Sequence, residues 1–337
     1  MNKILIIGGA GFIGHNMALQ LKQKNYDLKV IDSLQINNLY SIDKSSDLPF
    51  PKMTMSILEE RMSLFEKNKI KINQIDSRNY EKLSETILEF DPNVIIHLAA
   101  VSHANKSNLN PYQSFDNSLL TLENSLDISR NLKNLKRFIY FSSSMVYGNF
   151  TQDFVDEKTE CNPIGIYGTL KFCCEKIIIA YNQVFNLPYT IIRPSALYGE
   201  RCISRRVGQI FIENLLNKKN ITLSGDGKEK LDFTYIDDLV HGVDQVIQKK
   251  ESLNQIFNIT YGEGRSISDL IEILKTEFND IKIEYISRDK LMPKRGKLIC
   301  DKAKSLIKYN PKWNLETGYQ KYIQWYKDFF IRYTSKK

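Results

Sequence analysis

Ile4-Leu5-Ile6-Ile7-Gly8-Gly9-Ala10-Gly11-Phe12-Ile13-Gly14, near the head of a 337-residue chain, is the stretch that decides the fold. Four apolar residues in a row read as a strand buried on both faces. The glycines at 8, 11 and 14 then form G-x-x-G-x-x-G, and an amphipathic pattern predicts a helix over 12–24. At such a strand-to-helix turn the backbone can approach a pyrophosphate closely, and the first amides of the helix stabilise its charge. Gly8, Gly11, Phe12, Ile13 and Gly14 are therefore the first candidate cofactor-binding residues. The second strand, Leu28-Lys29-Val30-Ile31-Asp32, ends in a carboxylate about 20 residues beyond the loop, where a ribose diol is bound in dinucleotide folds. Asp32 would accept hydrogen bonds from that diol and repel a 2′-phosphate. No arginine closely follows it, so the expected cofactor is NAD rather than NADP. The plain structural alternative is an aspartate that merely ends a strand.

Working outward, strand and helix patterns alternate through the first half. Strands are expected near 3–7, 28–32, 70–75, 93–98 and 137–142, with helices near 12–24, 79–90, 112–133 and 166–185. The fold class implied is α/β, a Rossmann-type doubly wound parallel sheet with a smaller C-terminal α/β substrate-binding lobe. The boundary is placed at 194, giving a cofactor domain over 1–194 that also carries the catalytic residues. The lobe spans most of 195–337, with room for some elements to return to the first domain. Ile221-Thr222-Leu223 and Phe257-Asn258-Ile259 are short strands assigned to that lobe, among helices near 206–217, 236–248, 267–278 and 317–332. Residues 33–69, with Pro49 and Pro51, read as a surface insertion with a short helix over 56–66, rather than a flap at the adenosine end.

Composition narrows the class. Hydrophobic content of 42% and charged content of 26% describe an ordinary globular protein. No apolar run approaches the roughly 20 residues that span a bilayer, so no membrane role and a cytoplasmic location are expected. The net charge of +8 comes from scattered lysines without a basic run or nucleic-acid motif, so no nucleic acid is expected as a partner. Five cysteines without C-x-x-C spacing suggest neither zinc nor a disulfide framework. No pair of the four histidines has metal-ligand spacing, so no metal is expected. His97 reads as a packed core residue, His15 and His241 as helix residues, and His103 as a rim or loop residue.

Tyr167-Gly168-Thr169-Leu170-Lys171 places a phenol and an ammonium at i and i+4 on one helix face. An adjacent cation favours the phenolate, which makes Tyr167 a candidate base for a hydroxyl proton. Ser142-Ser143-Ser144 follows the apolar run Phe138-Ile139-Tyr140-Phe141 and sets hydroxyls at the end of that strand.

With these pieces placed, the chain resembles the extended short-chain dehydrogenases/reductases of the NAD-dependent nucleotide-sugar epimerase/dehydratase family. The resemblance covers nearly the whole length. Besides the motifs above it rests on His97-Leu98-Ala99-Ala100, Tyr147-Gly148, Arg193-Pro194, Tyr198-Gly199, Gly225-Asp226-Gly227 and Asp232-Phe233-Thr234-Tyr235-Ile236-Asp237-Asp238. It implies that Tyr167 is the general acid/base and that Lys171 binds the nicotinamide ribose. Ser143 would bond the reacting sugar hydroxyl, with Ser144 beside it in the substrate pocket. Asp76 and Ser77 would lie at the adenine, and Leu98, Ala99 and Ala100 along the nicotinamide ribose. A nucleotide-diphosphate sugar is the implied partner, and helices 112–133 and 166–185 would pair across a two-fold axis in a homodimer.

The resemblance also implies chemistry through a 4-keto sugar, most simply 4-epimerisation. A C4 dehydrogenase, a 4-keto reductase and an atypical 4,6-dehydratase share that ketone, and a non-catalytic NAD-binding sensor or scaffold is the alternative of another class. The family's 4,6-dehydratases carry Asp-Glu just after the catalytic hydroxyl; here Ser144 and Met145 stand there, and a methionine cannot abstract a proton. Two arginine or asparagine positions that commonly hold the diphosphate are here Ala196 and Leu231. Arg201, Arg205, Arg206 and Arg295 are the candidate replacements, Arg295 foremost, because guanidinium groups grip phosphate oxygens in pairs.

Overall fold

Seven parallel strands make the central sheet of the computed structural model, which describes residues 2–42, 48–101, 104–289 and 291–335. They are β1 (Lys3–Ile7), β2 (Asp27–Asp32), β3 (Ile72–Gln74), β4 (Val94–His97), β5 (Arg137–Phe141), β6 (Tyr189–Arg193) and β7 (Gln255–Asn258). Their spatial order is β3-β2-β1-β4-β5-β6-β7, so the chain reverses direction of travel between β1 and β4. Ile4 sits between Leu28 and Val94 in register. Ligands of open α/β sheets bind in the crevice at such a reversal.

The strand residues alternate between two cores. Ile4 and Ile6 enter one hydrophobic cluster, while Leu5 and Ile7 enter another on the opposite face. The first face is covered by α1 (Phe12–Gln23) and α2 (Pro51–Lys67), through Met17, Ala18, Leu21, Ile57, Leu58 and Phe65. The second is covered by α3 (Tyr80–Phe90), α4 (Thr121–Ser129) and α5 (Gly165–Phe185), through Leu83, Ile87, Leu122, Leu126, Cys174 and Ile178. Helices on both faces account for the unbroken apolar strands.

Beyond β6 the chain builds α6 (Val207–Leu216), α7 (Ile236–Gln248), α8 (Ile267–Glu277) and α9 (Leu315–Thr334). Their buried side chains, among them Phe211, Leu239, Leu270 and Tyr322, belong to the same cluster as Ile4 and Ile6. Two-stranded ladders complete the lobe: Ile221–Ser224 with Ile283–Ile286, and Lys230–Asp232 with Gly264–Ser266.

Two expectations change. The insertion at 33–69 is not a surface addition, because α2 buries Met53, Ile57, Leu58 and Phe65 as a layer of the fold. Residues 255–258, read as part of the lobe, pair with β6 at the sheet edge. The helix expected at 112–133 runs without a break over residues 111–129, as Pro111–Phe115, a π-helical turn over Asp116–Leu120, and α4, and ends earlier than expected. His103 lies outside the described residues. No described helix is long and apolar enough to cross a membrane.

Candidate active site

A cavity of about 1300 Å³ opens over the C-terminal ends of β1, β4 and β5 and runs beneath the lobe. Its floor is the Gly-rich loop. Gly8 has φ +80°, and a Cβ there would stand 2.8 Å from the Ala99 amide nitrogen. A Cβ on Gly14 would stand 2.5 Å from Cα of Gly9, so α1 can start here only on glycine. Gly11 differs, since a Cβ would meet only the Gly8 carbonyl, at 3.4 Å. The protein leaves open space over Gly11, which is also the N-cap of α1 and offers no side-chain cap. The first amides of α1 thus face the cavity, where Phe12 and Ile13 line it, without a side-chain cap acceptor.

Asp32 lines the same wall, accepting from the Ala10 amide at 2.9 Å and the Leu34 amide at 2.7 Å. Burial raises its carboxyl above the ordinary value, against the pull of those amides and of the Arg61 guanidinium. Asp76 and Ser77 also line the cavity. The Arg78 guanidinium, paired with Asp76 at 2.5 Å, lowers that carboxyl. Leu98, Ala99 and Ala100 follow β4 into the wall, with the Leu98 amide donating to the Ile7 carbonyl at 2.8 Å.

Tyr167 and Lys171 line the opposite side, on the first turns of α5. Gly168 between them allows the helix to press against the turn after β5, since a Cβ would lie 2.8 Å from the Met145 carbonyl. The start of α5 is fixed by the Asn108 side chain, which accepts from the Ile166 amide at 3.1 Å. Lys171 is buried, donates to the Phe141 carbonyl at 2.7 Å and lies 4.9 Å from the Tyr140 ring centroid. Its ammonium is therefore held at the end of β5, beside Ser142 and Ser143.

Ser143 caps a 3-10 turn over Ser144–Tyr147, its hydroxyl accepting from the Met145 amide at 3.2 Å. Ser142, Ser143, Ser144 and Met145 all line the cavity. The turn is anchored below by Tyr147, whose hydroxyl donates to Asn258 Oδ1 at 2.8 Å. Under the Tyr147 ring, Arg193 pairs with Glu175 at 2.7 Å, both buried. His97, stacked between Phe138 and Tyr140, is pushed down to about 3 by burial, with the Lys171 cation adding to it. It is a neutral core residue, as read from the sequence.

The candidate arginines separate. Arg295 and Arg206 line the cavity, joined by Arg288, which the sequence reading did not single out. Burial pulls Arg295 down to about 10, and the charges of Arg206 and Arg288 push the same way. Its Nε is buried without a hydrogen-bond partner among the described residues. Arg205 reaches the lining but is paired with buried Glu213 at 2.8 Å. Arg201 is not in the lining. Its guanidinium donates to His15 Nε2 at 3.0 Å and Asn16 Oδ1 at 3.2 Å, so it holds α1 and does not face the cavity.

Arg61 was also missed. It lines the cavity from α2, four residues from both Ile57 and Phe65. A charged residue at a core-facing position of an amphipathic helix was the available signal.

Comparison with known proteins agrees with this geometry. The chain is 32% identical over 287 residues to the dTDP-D-glucose 4,6-dehydratase of Dictyostelium discoideum, covering 80% of this chain and 60% of that protein. It is 26% identical over 331 residues to the UDP-glucuronate 4-epimerase of Thermodesulfobacterium geofontis, covering 97% of each. The crystal structure of UDP-glucuronic acid 4-epimerase from Bacillus cereus, in complex with UDP-glucuronic acid and NAD, superposes with a TM-score of 0.85 at 26% identity. That match covers 97% of this chain and 99% of the other. The profile of one family, described as the NAD dependent epimerase/dehydratase family, matches residues 4–260. With a full sheet, a Gly-rich loop and a Tyr-x-x-x-Lys helix in the matched region, the chain belongs to the NAD dependent epimerase/dehydratase family.

Proposed function

We propose that the protein is an NAD-dependent enzyme that inverts the C4 centre of a nucleotide-diphosphate sugar through a 4-keto intermediate. One observation carries this reading: a single cavity joins the Gly-rich loop, the Ser143-Tyr167-Lys171 group and the Arg206-Arg288-Arg295 corner. The space over Gly11 and the uncapped start of α1 fit a pyrophosphate. Asp32 keeps acceptor capacity for a ribose diol, Asp76 and Ser77 border the adenosine end, and Leu98 to Ala100 border the nicotinamide ribose. NAD, when bound, supplies hydride acceptance and return at the sugar carbon.

The chain's own residues do the rest. Tyr167 takes the proton of the 4-hydroxyl through its phenol oxygen and gives it back after the ketone has turned its other face. Lys171, fixed on the Phe141 carbonyl, binds the nicotinamide ribose. Ser143 bonds the same sugar oxygen, and Ser144 borders the pocket. Arg295, with an unmatched Nε and two like charges nearby, holds the diphosphate with Arg206 and Arg288. Residues 1–194 supply the cofactor site and the acid/base group, and most of 195–337 supplies the nucleotide-sugar site.

Met145 favours epimerisation over 4,6-dehydration, because no carboxylate stands at that position to remove the C5 proton. The test is a screen of UDP-, GDP-, CDP- and dTDP-sugars with NMR readout. A C4 epimer is expected, with turnover lost by about 10²- to 10⁴-fold in Tyr167→Phe. A 4-keto-6-deoxy product, or full turnover by that variant, would overturn the reading.

We also infer a homodimer. The segment from Ala104 to Ser129 and the end of α5 leave Leu109, Tyr112, Phe115, Leu120, Val184 and Phe185 exposed, an apolar face that a second copy would cover. Light scattering that gives a monomer mass at micromolar concentration would refute it. The free state of all five cysteines agrees with a cytoplasmic location.

A further inference from the structure

Helix α2 carries a cation into the layer between its own apolar face and the Gly-rich loop. Arg61 is 1% exposed, and burial pulls its pKa down to about 10. A guanidinium in such a layer is tolerated only when its donors are matched. Among the described residues those donors go to two carbonyls from two segments. Nε reaches the Arg201 carbonyl at 3.0 Å and Nη2 bonds the same oxygen, while Nη1 reaches the Ala10 carbonyl at 3.4 Å. Ala10 belongs to the Gly-rich loop. Arg201 belongs to the turn over 199–206, which carries Arg205 and Arg206 into the cavity.

The two segments are tied a second time. The Arg201 side chain donates to His15 Nε2, and His15 Nδ1 lies 3.0 Å from the Gly11 carbonyl. A guanidinium can only donate, so Nε2 accepts and the His15 proton sits on Nδ1, donating to Gly11. Arg201 and Arg205 both have left-handed backbones, φ 62° and 52°. Non-glycine residues persist there when their surroundings over-determine them.

We propose that Arg61 is a positioning residue that couples the two ligand sites. By bridging Ala10 and Arg201 it makes ordering of the Gly-rich loop and ordering of the 199–206 turn a single event. A dinucleotide on the loop thereby sets the turn that receives the sugar nucleotide, and the coupling is reciprocal. The inference rests on the NAD reading above.

Amide hydrogen exchange of the full chain, with NAD as the only ligand, tests it. In the wild type NAD slows exchange in peptides covering 8–14 and, by about five-fold or more, in those covering 199–206. In Arg61→Lys, whose single ammonium cannot hold both carbonyls in one geometry, peptides over 8–14 slow as before and those over 199–206 slow by much less, through the Arg201–His15 tie alone. Arg61→Met is expected to behave alike, and the Lys variant decides if the Met variant does not fold. Steady-state kinetics of the Lys variant should show KM for the sugar nucleotide raised with kcat nearly kept, a split that general destabilisation would not produce. Equal slowing over 199–206 in the wild type and the Lys variant overturns the proposal, as does an unresponsive turn in the wild type. No response over 8–14 in the wild type rejects the NAD reading, and the coupling falls with it.

Discussion

Arg295 stands at a corner of the cavity that Arg206 and Arg288 also line, Arg288 being paired with Glu229 at 3.7 Å while Arg295 Nε has no partner among the described residues. Replacing it by methionine keeps most of the volume and removes the charge. Arg295→Met should therefore raise KM for the nucleotide sugar about ten-fold or more, a loss of at least ~1.4 kcal/mol of binding, with a smaller change in kcat. Initial-rate kinetics would show it, and an unchanged KM would remove Arg295 from diphosphate binding. Of the sequence candidates that line the cavity, Tyr167, Lys171 and Asp32 are fixed by local spacing. Tyr167 and Lys171 share a helix face at i and i+4, and Asp32 closes a strand. Arginines obey no such rule: Arg201 and Arg288 differ in whether they face the cavity only because of which helix or ladder each meets, and that is tertiary information.

At the scale of elements, Gly11 and Gly14 make a contrast that separates folding from binding. Gly14→Ala forces a Cβ to within 2.5–2.7 Å of the Gly9 backbone, and should destabilise the protein by roughly 1–3 kcal/mol. Gly11→Ala meets only one oxygen at 3.4 Å, so the melting temperature without ligand should hardly change while NAD affinity falls. Calorimetric titration beside thermal melting distinguishes them, and a Gly11→Ala protein that binds NAD normally would show that nothing approaches that backbone closely. Element types were legible wherever an apolar run met clear punctuation. β6 was not read, although Tyr189-Thr190-Ile191-Ile192 lies between Pro188 and Pro194, because so short a run, with Thr190 inside it, looks alike in a helix or a strand. The role of α2 was hidden for another reason. Its core face includes Arg61 and Thr54, so the apolar stripe is interrupted where the helix meets the cofactor loop.

For the molecule as a whole, Asp232 is a keystone with a pH signature. Its carboxylate accepts from the Leu298 amide at 3.0 Å, the Gly262 amide at 3.1 Å and the Thr260 hydroxyl at 3.1 Å, joining three segments around the lobe. Burial pushes its carboxyl up from 3.8 to about 7, against those donors. Between these values the folded protein holds a proton that the unfolded chain has released. The contribution to stability is thus complete below about pH 4 and lost as pH rises through 7, on the order of a few kcal/mol. His15 and His97, kept neutral by burial, act the other way, their share being lost as pH falls below the ordinary histidine value. Urea denaturation at pH 5 and pH 8 should therefore show a smaller fall, or a net gain, in Asp232→Asn than in the wild type. Parallel behaviour of the two proteins would mean that this carboxylate stays ionised throughout.

The last strand of the central sheet, β7, is made from residues 255–258, long after the chain has gone out to build much of the lobe. During synthesis the nascent protein must therefore wait with β6 as a bare edge, able to pair with a stranger, until some sixty further residues have emerged, by the spacing of these two strands. A fragment stopped before residue 255 keeps its dinucleotide loop and its tyrosine but presents an unzipped flank to the cell.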